Sequence, residues 1–441
     1  MSLFHRKSST VCLLLLIFGE LIINVGCKDS LKSGVAVIPK GVKHDYLSDA
    51  GEWLGPLGNY RNGHSAESNW HQDWFNVEPE LSWKIELGLG VASVTCVSGR
   101  AYCIGNTADE EVVQCLDSRT GQVVWKFSYP CPIDKRMFEG GSASTPVIDK
   151  VSGSLYVLSH QGELRSLGLN DGKERWKVSY IEDLKGKRPN WGYSSSPLLS
   201  GDMLITVPGG GGSGVVALDP VTGKKKWSFG SDEAAYSSPV QINGEGQNGG
   251  NVMLFNSYGL NIINPRFGKL VSKARWKTEY DVNAALPLHI NGHIFICSGY
   301  GKGGGMVRIN ENKLDLIYES KDTVCQFQSP IESGGHAYMV IGDNSTKAKL
   351  ACMSLEDGSI KWTEPLSGNR GNIITANGKL IVVSERGEVI LCDASEKGYI
   401  EHGRFQALGG RCWAPPSIAD SNLYIRNNSG RLVCYDLKNT K

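Results

Sequence analysis

The chain has 441 residues, with 46 Lys and Arg set against 45 Asp and Glu, so its formal net charge is +1. Near-neutrality without a basic stripe argues against a nucleic-acid partner and against an electrostatic hold on anionic lipid. With 40% apolar residues a sizeable core can be buried, and 54 glycines, above the usual share of about 7%, suit a fold with many tight turns.

Residues 1–27 differ from the rest. His5, Arg6 and Lys7 precede an apolar run that Glu20 interrupts and that ends at Cys27. This is the pattern of an export signal, and it falls short of the roughly 20 apolar residues a spanning helix needs. Gly26-Cys27 resembles a lipoprotein processing site with Cys27 as the acylated residue, although Asn24 departs from that pattern. Ordinary signal cleavage and an uncleaved anchor are the other readings. A membrane is expected to meet the protein only through such an N-terminal lipid. Residues 28–80 are expected to form an extended leader, and residues 81–441 the folded domain.

From Trp83 onward an aromatic recurs roughly every forty to fifty residues: Trp83, Trp125, Trp176, Trp227, Trp276, Tyr318, Trp362 and Phe405. That period is the length of a four-stranded propeller blade. Each unit reads as four short β-runs separated by turn residues, with no useful helical period. Ala217–Trp227, A-L-D-P-V-T-G-K-K-K-W, shows the last hairpin of a unit. Asp219 is placed to accept backbone amides in the turn, Gly223 to take positive φ, and Trp227 to wedge between neighbouring blades. Asp117 and Gly121 hold the same places before Trp125. A buried aromatic covers about 150–250 Å², a gross ~4–6 kcal/mol at roughly 25 cal/mol per Å² before conformational entropy is set against it. Eight closing aromatics predict an all-β, eight-bladed propeller. The last unit ends without its own aromatic, so the strand around Trp83–Leu87 is expected to close the ring as the outer strand of the last blade. Closure removes long exposed sheet edges.

Other features are weaker. Cys115, Cys352 and Cys434 share one strand position, which suits small core residues. An exported chain could still form one or two disulfides. No C-x-x-C pair and no C-x-x-C-H haem site is present, so no metal site is expected through cysteine. Pro208–Gly214 and Gly299–Gly305 are glycine-rich but join strands, and a phosphate loop must lead into a helix. His289 and His293 flank an Asn291-Gly292 turn, so their i, i+4 spacing has no helical meaning. The repeated S-S-P runs into inner strands and is no nucleophile motif.

The repeat resembles the pyrroloquinoline-quinone-like (PQQ-like) propeller unit, A-x-D-x-x-T-G-x-x-x-W, over residues 81–437. Quinoprotein alcohol dehydrogenases and BamB-type lipoproteins of outer-membrane assembly carry this unit. Trp276–Pro287, Leu380–Leu391 and Leu408–Pro416 are more similar still to PQQ-like propellers of planctomycete-type bacteria of unassigned function. Glu52–Gly63 resembles their pre-propeller segment. The quinoprotein branch implies adjacent cysteines against the quinone and a Ca²⁺ held by carboxylate and amide oxygens. No Cys-Cys pair exists here, so no cofactor is expected, PQQ included. The resemblance implies a periplasmic or outer-membrane-anchored protein, and function must rest on a site because propellers serve unrelated activities. No catalytic residue is expected.

The segments before the inner strands should converge on one mouth of the central channel. They carry Trp191, Tyr193, Tyr236, Tyr280, Asp281, Asn283, Gln326, Arg370, Asn372, Arg411 and Trp413. Aromatics interleaved with polar groups around a concavity suit a small polar or carbohydrate ligand, or an envelope protein. The competing reading is that these side chains only pack the rim of the ring.

Overall fold

The computed structural model describes residues 46–134, 136, 138–242 and 250–438. The expectations for residues 1–27, Cys27 among them, lie outside these. Every strand of the propeller lies between His64 and Asp436.

Eight antiparallel sheets follow one another as the blades of a propeller, seven of four strands and one of four with a short parallel strand added. Blade 1 consists of Thr95–Val97, Arg100–Thr107, Glu110–Asp117 and Val123–Pro130, from innermost to outermost. Blades 2 to 7 repeat the pattern, starting at Val147, Leu198, Val240, Leu288, Ile331 and Gly371. Blade 8 takes three strands, Ser417–Ala419, Asn422–Arg426 and Arg431–Asp436, from the C-terminal end. Its outer strand is Glu80–Glu86, paired antiparallel with Arg431–Asp436. Second and third strands are buried on both faces, whereas outer strands alternate, as in e-e-i-e-i for Lys225–Phe229 (exposed and intermediate). That is the burial of sheets stacked face to face with one edge in water.

Blade contacts repeat with the sequence motif. Asp219 Oδ1 accepts the amides of Val221 and Thr222 and the Thr222 hydroxyl; the Thr222 amide leads the interactions that hold its carboxyl below the usual range. Gly223 has φ +70°, and a Cβ there would lie 2.8 Å from the Trp176 ring. Trp176 belongs to the preceding blade and donates its indole N–H to Pro220 O at 3.1 Å. In the same way Trp227 donates to Pro265 O in blade 4, and Trp125 to Leu169 O in blade 2. Trp83 reaches Ser118 O in blade 1, Tyr318 donates to Leu355 O in blade 6, and Trp362 to Ser395 O in blade 7.

Two of the eight aromatics do not hold this position. The docking residue lies beside a register shift, where Ala217 pairs with Trp227 and Leu218 with Lys225. At that place blade 4 has Ser272, opposite Ile262, and blade 7 has Gly403, opposite Leu391. Trp276 and Phe405 lie four and two residues further on. Blade 5, which faces Ser272, turns in two residues (Glu311 and Asn312) between its last strands and offers no glycine. Trp276 instead packs near Gly305 and donates its indole N–H to the Ser298 hydroxyl. At Gly403 the N-terminal segment lies against the strand instead: a Cβ there would meet the Trp74 backbone carbonyl carbon and Cβ at 2.6 Å.

Trp74 belongs to residues 46–79, which are folded into the ring and are not an extended leader. Trp53 exchanges backbone hydrogen bonds with Cys96, Leu54 O accepts Ile148 N, and Gly63 O accepts Thr375 N. His64–Ser65 adds a parallel fifth strand inside blade 7. Arg61 is buried and donates to the carbonyls of Ser196, Pro197 and Pro239 in blades 3 and 4. Burial alone lowers its pKa to about 9. The segment therefore closes one end of the channel, the end of the turns between first and second strands.

All ten cysteines among the described residues are free and buried. Cys115, Cys352 and Cys434 stand opposite Trp125, Trp362 and Trp83, where a small side chain leaves room for the ring. His289 and His293 flank a two-residue turn with Asn291 and Gly292 at positive φ. Burial, then the neighbouring His293, lowers the His289 pKa to about 4.

Candidate functional site

The open end of the channel is a cavity of about 360 Å³. Leu57, from the segment that closes the opposite end, lines it, so the propeller axis is a blind pocket and not a through-channel. Its walls come from connections between blades and from loops between second and third strands, which meet on the same face.

Six of the expected residues line it: Trp191, Tyr236, Gln326, Arg370, Asn372 and Trp413. Trp191 precedes blade 3 and Tyr236 blade 4; their rings sit 6.0 Å apart, and Tyr280 meets Trp191 edge-on at 6.1 Å. The Tyr236 hydroxyl accepts the Trp191 amide, and burial pushes its pKa up to about 12. It is a neutral hydrogen-bonding group across the physiological range.

A second aromatic group centres on Trp413. The guanidinium carbons of Arg370 and Arg411 each lie 4.9 Å from its ring centroid. Phe138 and Phe327 pack on it at 4.9 and 5.4 Å. Its indole N–H donates to Glu385 Oε1 at 2.8 Å. Burial pushes Glu385 up, but the Asn369 amide, the Trp413 indole and the two arginines outweigh it and hold the carboxyl below its usual range. Arg370 donates to the amide oxygens of Gln326 and Asn344, and its charge, desolvated by burial, has a lowered pKa. Asn372 donates to Trp413 O at 2.9 Å. These groups fix one another, so the wall is preorganised.

The other five expected residues do other work. Tyr193 is buried against Tyr180 and donates to Pro208 O. Asn283 is buried and ties blade 4 to its exit segment, donating to the carbonyls of Asn256 and Trp276. Tyr280 stands on the rim, exposed and at φ +57°, beside Asp281, which pairs with Lys277. Arg411 pairs with Glu139. Sequence reasoning missed Tyr300, Asn344 and Asn428, which sit between second and third strands, and Phe138, Glu139 and Phe327. The loop residues were findable, because in an antiparallel blade those turns share a face with the connections between blades.

An eight-bladed PQQ-like propeller with a blind aromatic pocket on its axis is the class of protein that this fold and site define. The family model described as outer membrane protein assembly factor BamB matches residues 109–364, more than half of the chain, which therefore belongs to that family. BamB from Moraxella catarrhalis superposes with a TM-score of 0.60 at 14% identity, over 82% of this chain and 98% of that one. The quinohemoprotein alcohol dehydrogenase from Comamonas testosteroni gives 0.60 at 14% identity, over 89% and 81%. In sequence, the quinohemoprotein alcohol dehydrogenase ADH-IIG of Pseudomonas putida is 29% identical over 156 residues, 34% of this chain but 20% of the enzyme's length. At such identities the structural matches speak for the fold.

Proposed function

We propose that the protein is an exported, non-catalytic binding scaffold of the cell envelope, and that its blind axial pocket takes a small polar ligand of carbohydrate type. The observation that carries this reading is the pocket's make-up: aromatic rings at Trp191 and Tyr236 beside the amides of Gln326, Asn344 and Asn372. Rings that stack on a sugar face and amides that bond its hydroxyls are what such a ligand requires. The family's description, an outer membrane protein assembly factor, supports an envelope location. It also motivates a second reading, in which the same mouth grips a segment of an envelope protein.

The quinoprotein alternative has less support from the donor set. Glu139 is the one carboxylate among the described residues lining the pocket, and it is already bonded by Arg411 and Asn428. A divalent ion with its quinone asks for several free oxygen donors, and these residues do not fit that group. The test is a binding screen of the full chain against neutral and acidic saccharides and envelope peptides. The expected hit loses at least about tenfold in affinity in Trp191→Ala and Phe327→Ala, a loss of about 1.4 kcal/mol. Stoichiometric uptake of PQQ with Ca²⁺ and dye-linked alcohol oxidation would overturn the reading.

A further inference from the structure

Between blades 1 and 2, away from the pocket, three ligating side chains meet in the interior. Glu111 lies on the third strand of blade 1, Cys131 just after its outer strand, and His160 in the turn between Ser154–Leu158 and Glu163–Gly168 of blade 2. All three are buried. Separations are 3.2 Å from His160 Nδ1 to Glu111 Oε1, 3.5 Å from Cys131 Sγ to Nδ1, and 3.7 Å from Sγ to Oε1.

The triangle has the dimensions of one face of a tetrahedral zinc site. With Zn–S of about 2.3 Å, Zn–N of about 2.0–2.1 Å and Zn–O of about 2.0–2.2 Å, tetrahedral angles put N and O ~3.3 Å apart and S ~3.6 Å from each. The surroundings orient the ligands. His160 Nε2 faces Pro132 O at 3.1 Å, and a carbonyl only accepts, so Nε2 carries a proton and Nδ1 is the nitrogen turned to the cluster. A backbone carbonyl behind the far nitrogen is the usual support of a metal-bound histidine. The Tyr129 hydroxyl donates to Glu111 Oε2, which leaves Oε1 for the shared point. Pro132, the carbonyl partner of His160, also lines a surface cleft with Gln161 and Arg188.

We infer that Glu111, Cys131 and His160 form a binding site for a divalent transition-metal cation, zinc by the mixture of sulfur, nitrogen and oxygen donors. Binding converts the Cys131 thiol to thiolate and releases its proton to solvent, together with any proton on Nδ1. The carboxylate and thiolate then balance the dication, and a water completes four-coordination. Because the ligands come from two blades, the ion would staple blade 1 to blade 2.

The test uses the full chain, stripped with a chelator and titrated with Co²⁺ as a spectroscopic stand-in. The proposal predicts one equivalent bound with a thiolate-to-cobalt charge-transfer band, displaced by Zn²⁺. The band disappears in Cys131→Ser and persists in Cys412→Ser, a buried cysteine elsewhere. Glu111→Gln keeps the shape and weakens binding by more than about tenfold. A folded, unmodified chain that gives no such band would overturn the proposal without recourse to any variant. So would a band that survives in Cys131→Ser.

Discussion

Replacing Trp227 by alanine removes a ring wedged between blades 3 and 4 and leaves Pro265 O without its donor. The expected loss is about 2–4 kcal/mol, toward the lower part of the range for buried aromatics because this ring is only half-buried. Gly223→Ala meets both a positive φ and the Trp176 ring, whereas Gly201→Ala, at φ +60° with nothing within 4 Å, meets backbone strain alone. Urea denaturation should therefore rank Gly223→Ala well below Gly201→Ala, which costs about 1 kcal/mol. These positions were legible because A-x-D-x-x-T-G-x-x-x-W states the whole turn locally. Trp276 and Phe405 were misplaced because docking follows the register shift, which an aromatic count does not see. His289 gives a pH prediction. Its folded pKa of about 4 lies below the ordinary value of 6.5, so the unfolded chain binds its proton first. Its burden on stability is absent above pH 6.5, grows as pH falls toward 4, and is constant below that, up to about 3 kcal/mol. In His289→Asn that part of the acid slope should disappear from a series of melts.

At the scale of elements, the outer strand of blade 8 and the segment before it decide how the ring closes. The Glu80–Glu86 strand was legible from an aromatic, Trp83, ahead of the first full unit and from the lack of one after the last. The plug at residues 46–79 was not, since it repeats nothing and its partners are far off in sequence. Composition did hold one sign: three of the chain's eleven tryptophans, Trp53, Trp70 and Trp74, lie in it, and all three are buried. The Trp74 ring packs on Phe405, which packs on Tyr435. Trp74→Ala should destabilise the protein by about 3–5 kcal/mol. Limited proteolysis should then cut first within residues 46–79, because their neighbour across blades 7 and 8 is lost. Arg61→Met would leave three buried carbonyls unpaired and should cost a further few kcal/mol.

Over the whole molecule, closure and function use the same parts. Arg426 of blade 8 is buried and donates to Gly88, Ala92 and Ile104 carbonyls at the start of blade 1, reinforcing the seam made by the N-terminal strand. The plug that helps close the ring also gives the pocket its floor at Leu57. The rim was half legible: the connections between blades can be read from the repeat, but the way each side chain turns depends on packing that no local pattern records, as Tyr193 and Asn283 show. The central claim is that the axial pocket binds a small polar ligand, and calorimetric titration of the best saccharide from the screen tests it most directly. The account predicts one site per chain, weakened at least tenfold by Trp191→Ala and by Phe327→Ala, with the melting temperature of each unliganded variant near that of the unmodified protein. Saturable binding that both variants leave unchanged would place the ligand elsewhere and contradict the account.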